Sequence, residues 1–182
     1  KRKIITRING YHGVTLGATS MTGKPYNKVF QLPLDGFIHA DCPHYWKFAK
    51  ENETEEEFTN RVAKNLEDLI LKEDPDTIAG FVAEPVQGAG GVIPPSKGYF
   101  DLIQPILKKY KIPLIADEVI CGFGRTGNLW GCETYNIKPD IIISSKCLTA
   151  GYFPMGAVIV NKEFADEFTL VSEDAEEFPH GF

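Results

Sequence analysis

Nothing in this sequence points to a membrane or to a polyanionic partner. No apolar run approaches the roughly 18 residues that a bilayer-spanning helix needs. Acidic residues outnumber basic ones, 25 to 19, for a net charge of -6, so the electrostatic footprint of a nucleic-acid binder is missing. The four cysteines, Cys42, Cys121, Cys132 and Cys147, form no CxxC pair. In a chain of 182 residues, long enough to bury one sizeable core, so sparse a set is no disulfide framework and reads as reduced thiols in a cytosol-like compartment. No repeat or low-complexity tract is visible, and there is no initiator Met or signal-like segment. The chain opens on Lys1-Arg-Lys-Ile-Ile-Thr6, a lead-in to a strand, and closes on Phe178-Pro-His-Gly-Phe182 with no capping helix. Both ends are expected to be cuts in a longer chain, since domains usually begin and end in exposed linkers.

What is present is a series of short apolar runs alternating with amphipathic stretches. Residues 54 to 71 form the clearest predicted helix: Thr54 and Glu57 make a capping box, and Phe58, Val62, Leu66, Leu69 and Ile70 recur at helical spacing. A second helix is expected from about Ser96, with Phe100, Ile103, Leu107 and Tyr110 on one face, and a short amphipathic stretch from Asn128 to Asn136. The apolar runs Ile78 to Ala83, Pro113 to Ala116, Asp140 to Ile143 and Ala157 to Val160 do not alternate, which is how strands buried on both faces read. A further helical stretch should span Lys162 to Phe168. Strand and helix in series predict an α/β fold with a largely parallel sheet and flanking helices. Gly23 to Asn52 shows no period and is expected to be a long ordered excursion at the domain edge.

In open parallel sheets, ligands bind beyond the carboxyl ends of the strands. Consecutive predicted strands end there in Glu84, Asp117 and Lys146. Each has an ordinary reading, since an acid past a strand commonly caps the next helix and a lysine there is commonly solvated. Their coincidence on one edge, beside glycine-rich loops, favours a site. The trio suits pyridoxal 5'-phosphate (PLP). That cofactor needs a lysine for a Schiff base on a rigid, partly desolvated element and a carboxylate at the pyridine nitrogen, so that the ring can take up electrons. Asp117, short and at a strand end, suits the second task; Lys146, just past the next strand, suits the first.

Asn9-Gly-Tyr-His-Gly13, Glu84-Pro-Val-Gln-Gly-Ala-Gly-Gly-Val-Ile-Pro-Pro95, Ile115-Ala-Asp-Glu-Val-Ile-Cys-Gly-Phe-Gly-Arg-Thr-Gly127 and Ser144-Ser-Lys-Cys-Leu-Thr-Ala-Gly-Tyr-Phe-Pro-Met-Gly156 together resemble the class III (omega) aminotransferases of PLP fold type I, in that family's order and spacing. The resemblance implies that residues 1–182 are the interior of the large PLP-binding domain, with a phosphate-binding segment upstream and a small domain downstream. By the same resemblance Lys146 is the Schiff-base lysine and proton carrier, Asp117 the partner of the pyridine nitrogen, and Tyr11 and Val119 pack on the two ring faces. Glu84 orients groups around the ring, and His12 lies in the same cofactor-contacting segment, its ring expected to hydrogen-bond locally rather than to act as a base. Arg125 reads equally as an anchor of its loop and as a ligand contact. The family further implies an amine donor and a keto acid as small-molecule partners, and a homodimer or higher even oligomer.

Two positions bear on the subgroup. Members using ornithine, acetylornithine or 4-aminobutyrate typically carry an acid where this chain has Ala89, and tend to carry Gln where it has Ile120. A small residue and an aliphatic one, with Gly36-Phe-Ile-His-Ala-Asp-Cys-Pro-His-Tyr-Trp46, resemble the transaminases that pass an amino group from amines or omega-amino acids to pyruvate. The alternatives are ornithine or 4-aminobutyrate donors with 2-oxoglutarate, or a stretch inactive by itself. Gly122-Phe-Gly-Arg-Thr-Gly127 fits GxGxxG, but it does not follow its strand directly, and Asp140 precedes its strand instead of ending it, so a dinucleotide site is not expected. His39, Cys42 and His44 lie close in sequence with no fourth partner in sight, so a metal site is not expected there.

Overall fold

A computed structural model describes residues 1–166. The elements run β1 (Lys3–Arg7), α1 (Leu16–Met21), β2 (Phe37–Ala40), α2 (Tyr45–Phe48), α3 (Glu55–Lys72), β3 (Ile78–Ala83), α4 (Tyr99–Lys109), β4 (Leu114–Asp117), α5 (Gly131–Thr134), β5 (Ile141–Ser144) and β6 (Ala157–Val160). The strands form one sheet in the order β2-β1-β3-β4-β5-β6. Pairing is parallel from β2 to β5, and β6 runs antiparallel to β5. The expected α/β fold with a largely parallel sheet is the observed one. No described helix is long and apolar enough to cross a membrane.

Helix α3 forms where its sequence dictates. The Glu57 amide donates to Thr54 Oγ1 at 3.3 Å and the Thr54 amide to the Glu57 carboxylate at 2.8 Å, so the capping box satisfies donors that a helix start leaves orphaned. Glu55, Glu56 and Glu57 in the first turn suit the positive end of the helix dipole. The helix buries Phe58, Val62, Leu66 and Ile70 against α4 and the sheet, where they share one core with Ile5, Phe81, Tyr99, Ile103 and Leu107. Each such side chain contributes about 1.5–3 kcal/mol by leaving water.

The structure departs from the sequence expectations in four places. Helix α4 starts at Tyr99, not near Ser96: Ser96 Oγ instead takes a hydrogen bond from the Thr59 hydroxyl at 2.9 Å, and its amide donates to the Pro43 carbonyl. Gly98, at φ 77°, then caps the helix. The stretch 128–136 yields only the single turn of α5. The excursion 23–52 does lie at the domain edge, but it contributes β2, the parallel edge strand beside β1; Phe37-Ile-His-Ala40 carries no apolar run because an edge strand is not buried on both faces. Strand β6 is the converse: its run is apolar, yet Val158 is 67% exposed. Residues 162–166 are helical; the rest of the helix expected to Phe168, and His180, lie outside the described residues.

Candidate active site

The carboxyl ends of the strands gather the expected residues along one edge. Asp117 is the last residue of β4, Glu84 follows β3 directly, and Lys146 opens a short 3₁₀ turn two residues after β5. Because β3, β4 and β5 are adjacent and parallel, their ends emerge side by side. Tyr11 and His12 come from the loop after β1, on the other side of β3.

Asp117 is the best-organised member. Its carboxylate is 7% exposed and pairs with His12 Nδ1 at 2.8 Å; its other oxygen accepts from the Val119 amide at 3.1 Å. An ionised carboxylate has about four acceptor positions, so this one is oriented by two donors and has capacity left for a third. The His12 ring is itself buried, and its backbone amide donates to Thr22 Oγ1 at 2.9 Å. The expectation that its ring bonds locally is therefore corrected. The partner lies 105 residues away in sequence, because the β1 loop folds over the end of β4, and only the tertiary structure brings them together.

Glu84 is 2% exposed. One carboxylate oxygen accepts the Tyr11 amide at 3.0 Å, the other the Gly88 amide at 2.9 Å. Burial pushes this carboxyl up from its ordinary range, against the opposing pull of the Tyr11 amide, Arg7, His12 and the Gly88 amide. The side chain ties the loop after β1 to the loop after β3. Gln87 adds a second tie: its Nε2 donates to the Ile8 carbonyl at 2.9 Å, and its Oε1 accepts from the Cys42 thiol at 3.1 Å. Gly23 closes the set, exchanging hydrogen bonds with Asn9 and Gly10, and a side chain there would run into the Arg7 carbonyl.

Lys146 is exposed and sits at φ 49°, a left-handed conformation that costs a non-glycine residue energy and concentrates at functional sites. The desolvation expected around this amine is not supplied by the described residues: Tyr152, Phe153 and Met155, just beyond it, are exposed as well. Arg125 donates from Nε to the Ile120 carbonyl at 2.8 Å and approaches Cys147 Sγ at 3.6 Å, which is the behaviour of a loop anchor beside the lysine turn. Val119 and Tyr11 are half-buried on the loops after β4 and β1. Ala89 is exposed, and Ile120 packs so closely on Gly88 that a Cβ there would come within 2.7 Å of it.

Glu118 was not foreseen as a site-building residue. It is fully buried, and its two oxygens accept the Gly131 and Cys132 amides at 3.0 and 2.7 Å, fixing the start of α5. Burial, and then Glu118, push the Cys132 thiol up, and burial takes Cys121 up to about 11. The glycine-rich stretch 122–127 forms turns between β4 and the single-turn α5, with Phe123, Gly124 and Gly127 at positive φ, rather than opening a long helix. His39 bonds the Met21 carbonyl at 3.2 Å while Cys42 bonds Gln87, so their side chains are drawn to different partners. All four cysteines are free.

The model of the class-III aminotransferase family matches residues 1–181. The chain belongs to that family. A crystal structure of an omega-transferase from Vibrio fluvialis JS17 is 66% identical and superposes with a TM-score of 0.98, covering all of this chain and 43% of that one. The PMP-bound form of an aminotransferase from Vibrio fluvialis is 66% identical with a TM-score of 0.97, covering all of this chain and 40% of that one. Gamma aminobutyrate transaminase 3, chloroplastic, of Solanum lycopersicum is 55% identical over all of this chain and 35% of its own length. The chain thus spans well under half the length of these class-III relatives.

Proposed function

We propose that these residues are the cofactor-holding interior of a PLP-dependent transaminase that moves an amino group from an amine or omega-amino acid to a keto acid, pyruvate foremost. The observation that carries the reading is the Asp117 carboxylate, oriented by His12 and the Val119 amide with acceptor capacity left over, at the strand end next to Lys146. Those residues fit the cofactor. When bound, it supplies an aldehyde that takes up amines and a ring that draws off electrons. Lys146 Nζ is the attachment point and carries the proton to and from the substrate carbon. Asp117 accepts the proton-bearing ring nitrogen and holds positive charge there, while His12 keeps the carboxylate from turning away. Tyr11 and Val119 restrict the ring from its two faces. The amine of Lys146 and the aromatic residues after it are exposed, which supports completion of the site by chain outside these residues and by a second subunit in a homodimer or higher even oligomer.

The donor class rests on Ala89 and Ile120. Ala89 offers no acid to pair with an arginine, and with Ile120 it leaves an apolar wall that suits donors lacking an α-carboxylate. A second reading, with 4-aminobutyrate as donor, is favoured by the tomato relative's name. Borohydride reduction of the full-length protein, followed by peptide mapping, should place the pyridoxyl group on Lys146, and Lys146→Ala should abolish both the adduct and transamination. An adduct on another lysine overturns the assignment. A donor and acceptor panel should show pyruvate ahead of 2-oxoglutarate with amines or β-alanine as donors; a preference for 4-aminobutyrate with 2-oxoglutarate selects the second reading.

A further inference from the structure

Arg7, at the end of β1, is the bulkiest of the fully buried side chains, 2% exposed. Its Nη2 donates to the Glu84 carbonyl, and its guanidinium lies 5.7 Å from the ring centroids of both Tyr99 and Phe100. Among the described residues it has no carboxylate within ion-pair distance. A cation so deeply placed is costly unless an opposite charge faces it. Its charge acts on Glu84, Tyr99 and Cys42. Burial holds the Tyr99 phenol at about 12 and pushes the Cys42 thiol up, so both are neutral at neutral pH. Of these three, Glu84 is the one that can carry the opposite charge.

Glu84 also needs that charge. Each of its oxygens accepts one backbone amide, from Tyr11 and from Gly88, and a carboxyl serves two N–H donors cleanly only when ionised, since protonation turns one oxygen into a donor. We propose that Arg7 is a positioning residue: its buried guanidinium, fixed on the Glu84 carbonyl and against two aromatic rings, keeps the Glu84 side chain a charged double acceptor and thereby braces the Tyr11 and Gly88 loops. The functional value of the brace rests on the reading of Tyr11 as the residue that packs on the cofactor ring.

The test follows amide hydrogen exchange in the full-length holoenzyme, corrected for intrinsic rates, in segments containing Tyr11 and Gly88. A segment within α3 serves as the control for folding. In the wild type, the two segments should lose protection together as pH falls and Glu84 protonates; the titratable groups facing that carboxyl are Arg7, His12 and the Cys121 thiol. Arg7→Gln should raise exchange in both segments roughly ten- to a hundredfold at neutral pH, the loss of hydrogen bonds to a charged acceptor, with α3 unchanged. Arg7→Lys, which keeps the charge, should retain most of the protection. The brace is overturned by a folded Arg7→Gln protein with unchanged exchange, by Arg7→Lys failing as badly as Arg7→Gln, or by wild-type segments that respond separately to pH. Should Arg7→Gln not fold, Arg7→Lys and the wild-type titration still decide. Exchange does not depend on turnover, so a brace that holds while the borohydride adduct lies elsewhere sinks the Lys146 assignment alone.

Discussion

On one flank of the sheet, α3 and α4 seal β1, β3 and β4 with Phe58, Leu66, Ile70, Ile103 and Leu107, all essentially without exposure. On the other, β5 and β6 carry equally apolar sequences, yet Val158, Ile159 and Val160 remain 39–67% exposed. The difference is not one of composition. The first flank owns both the sheet face and the helices that cover it within these residues, whereas β6 has β5 on one side and, among the described residues, no neighbouring strand on the other. The site straddles the boundary. Asp117 and Glu84, at the ends of the sealed strands, are fully organised, while Lys146, at the end of β5, stands in the open.

The comparison can be broken first at its packed side. Phe58→Ala should cost about 3–5 kcal/mol, the usual loss for a fully buried aromatic, read as a shift in the denaturant midpoint of the full-length protein. A loss under about 1 kcal/mol would mean that the α3–α4 flank does not carry the fold. Next comes the organised part of the site. Asp117→Asn should leave the protein folded and able to take up cofactor, while slowing proton transfer at the substrate carbon by roughly 10²–10³, the size of a lost electrostatic stabiliser. A mutant with near-normal turnover would refute the role given to Asp117. The smallest effect sharpens the picture of the sealed flank itself. Thr54→Ala removes only the cap of α3 and should cost about 1 kcal/mol without touching turnover, as unfolding curves and kcat measured side by side would show.

Much of the fold was legible beforehand. The capping box of α3, its apolar stripe and the run of β3 are local signals, and they survive because nothing distant competes with them. Where distant groups did compete, local reading slipped. Ser96 is drawn to Thr59 and Pro43 instead of opening α4, and the edge strand β2 is hidden because His39 interrupts Phe37-Ile-His-Ala40. Helix α1 gave only a faint signal: Thr15 caps it, its Oγ1 accepting the Ala18 amide at 3.3 Å, but Leu16 is 69% exposed and no apolar stripe announces it.

The sequence by itself determined the alternation of β3, α4, β4 and β5 and the residues that stand at the ends of those strands, Glu84, Asp117 and Lys146, because periodicity, capping and residue type are properties of neighbours along the chain. Only the tertiary structure decided what those groups touch: that His12 reaches Asp117, that Glu84 binds two loops at once, and that Arg7 lies beneath them among aromatic rings. The Tyr11–Glu84 and His12–Asp117 bonds join residues 73 and 105 positions apart, and a hydrogen bond between segments so separated depends on how the parallel strands bring their ends together, which no local pattern encodes.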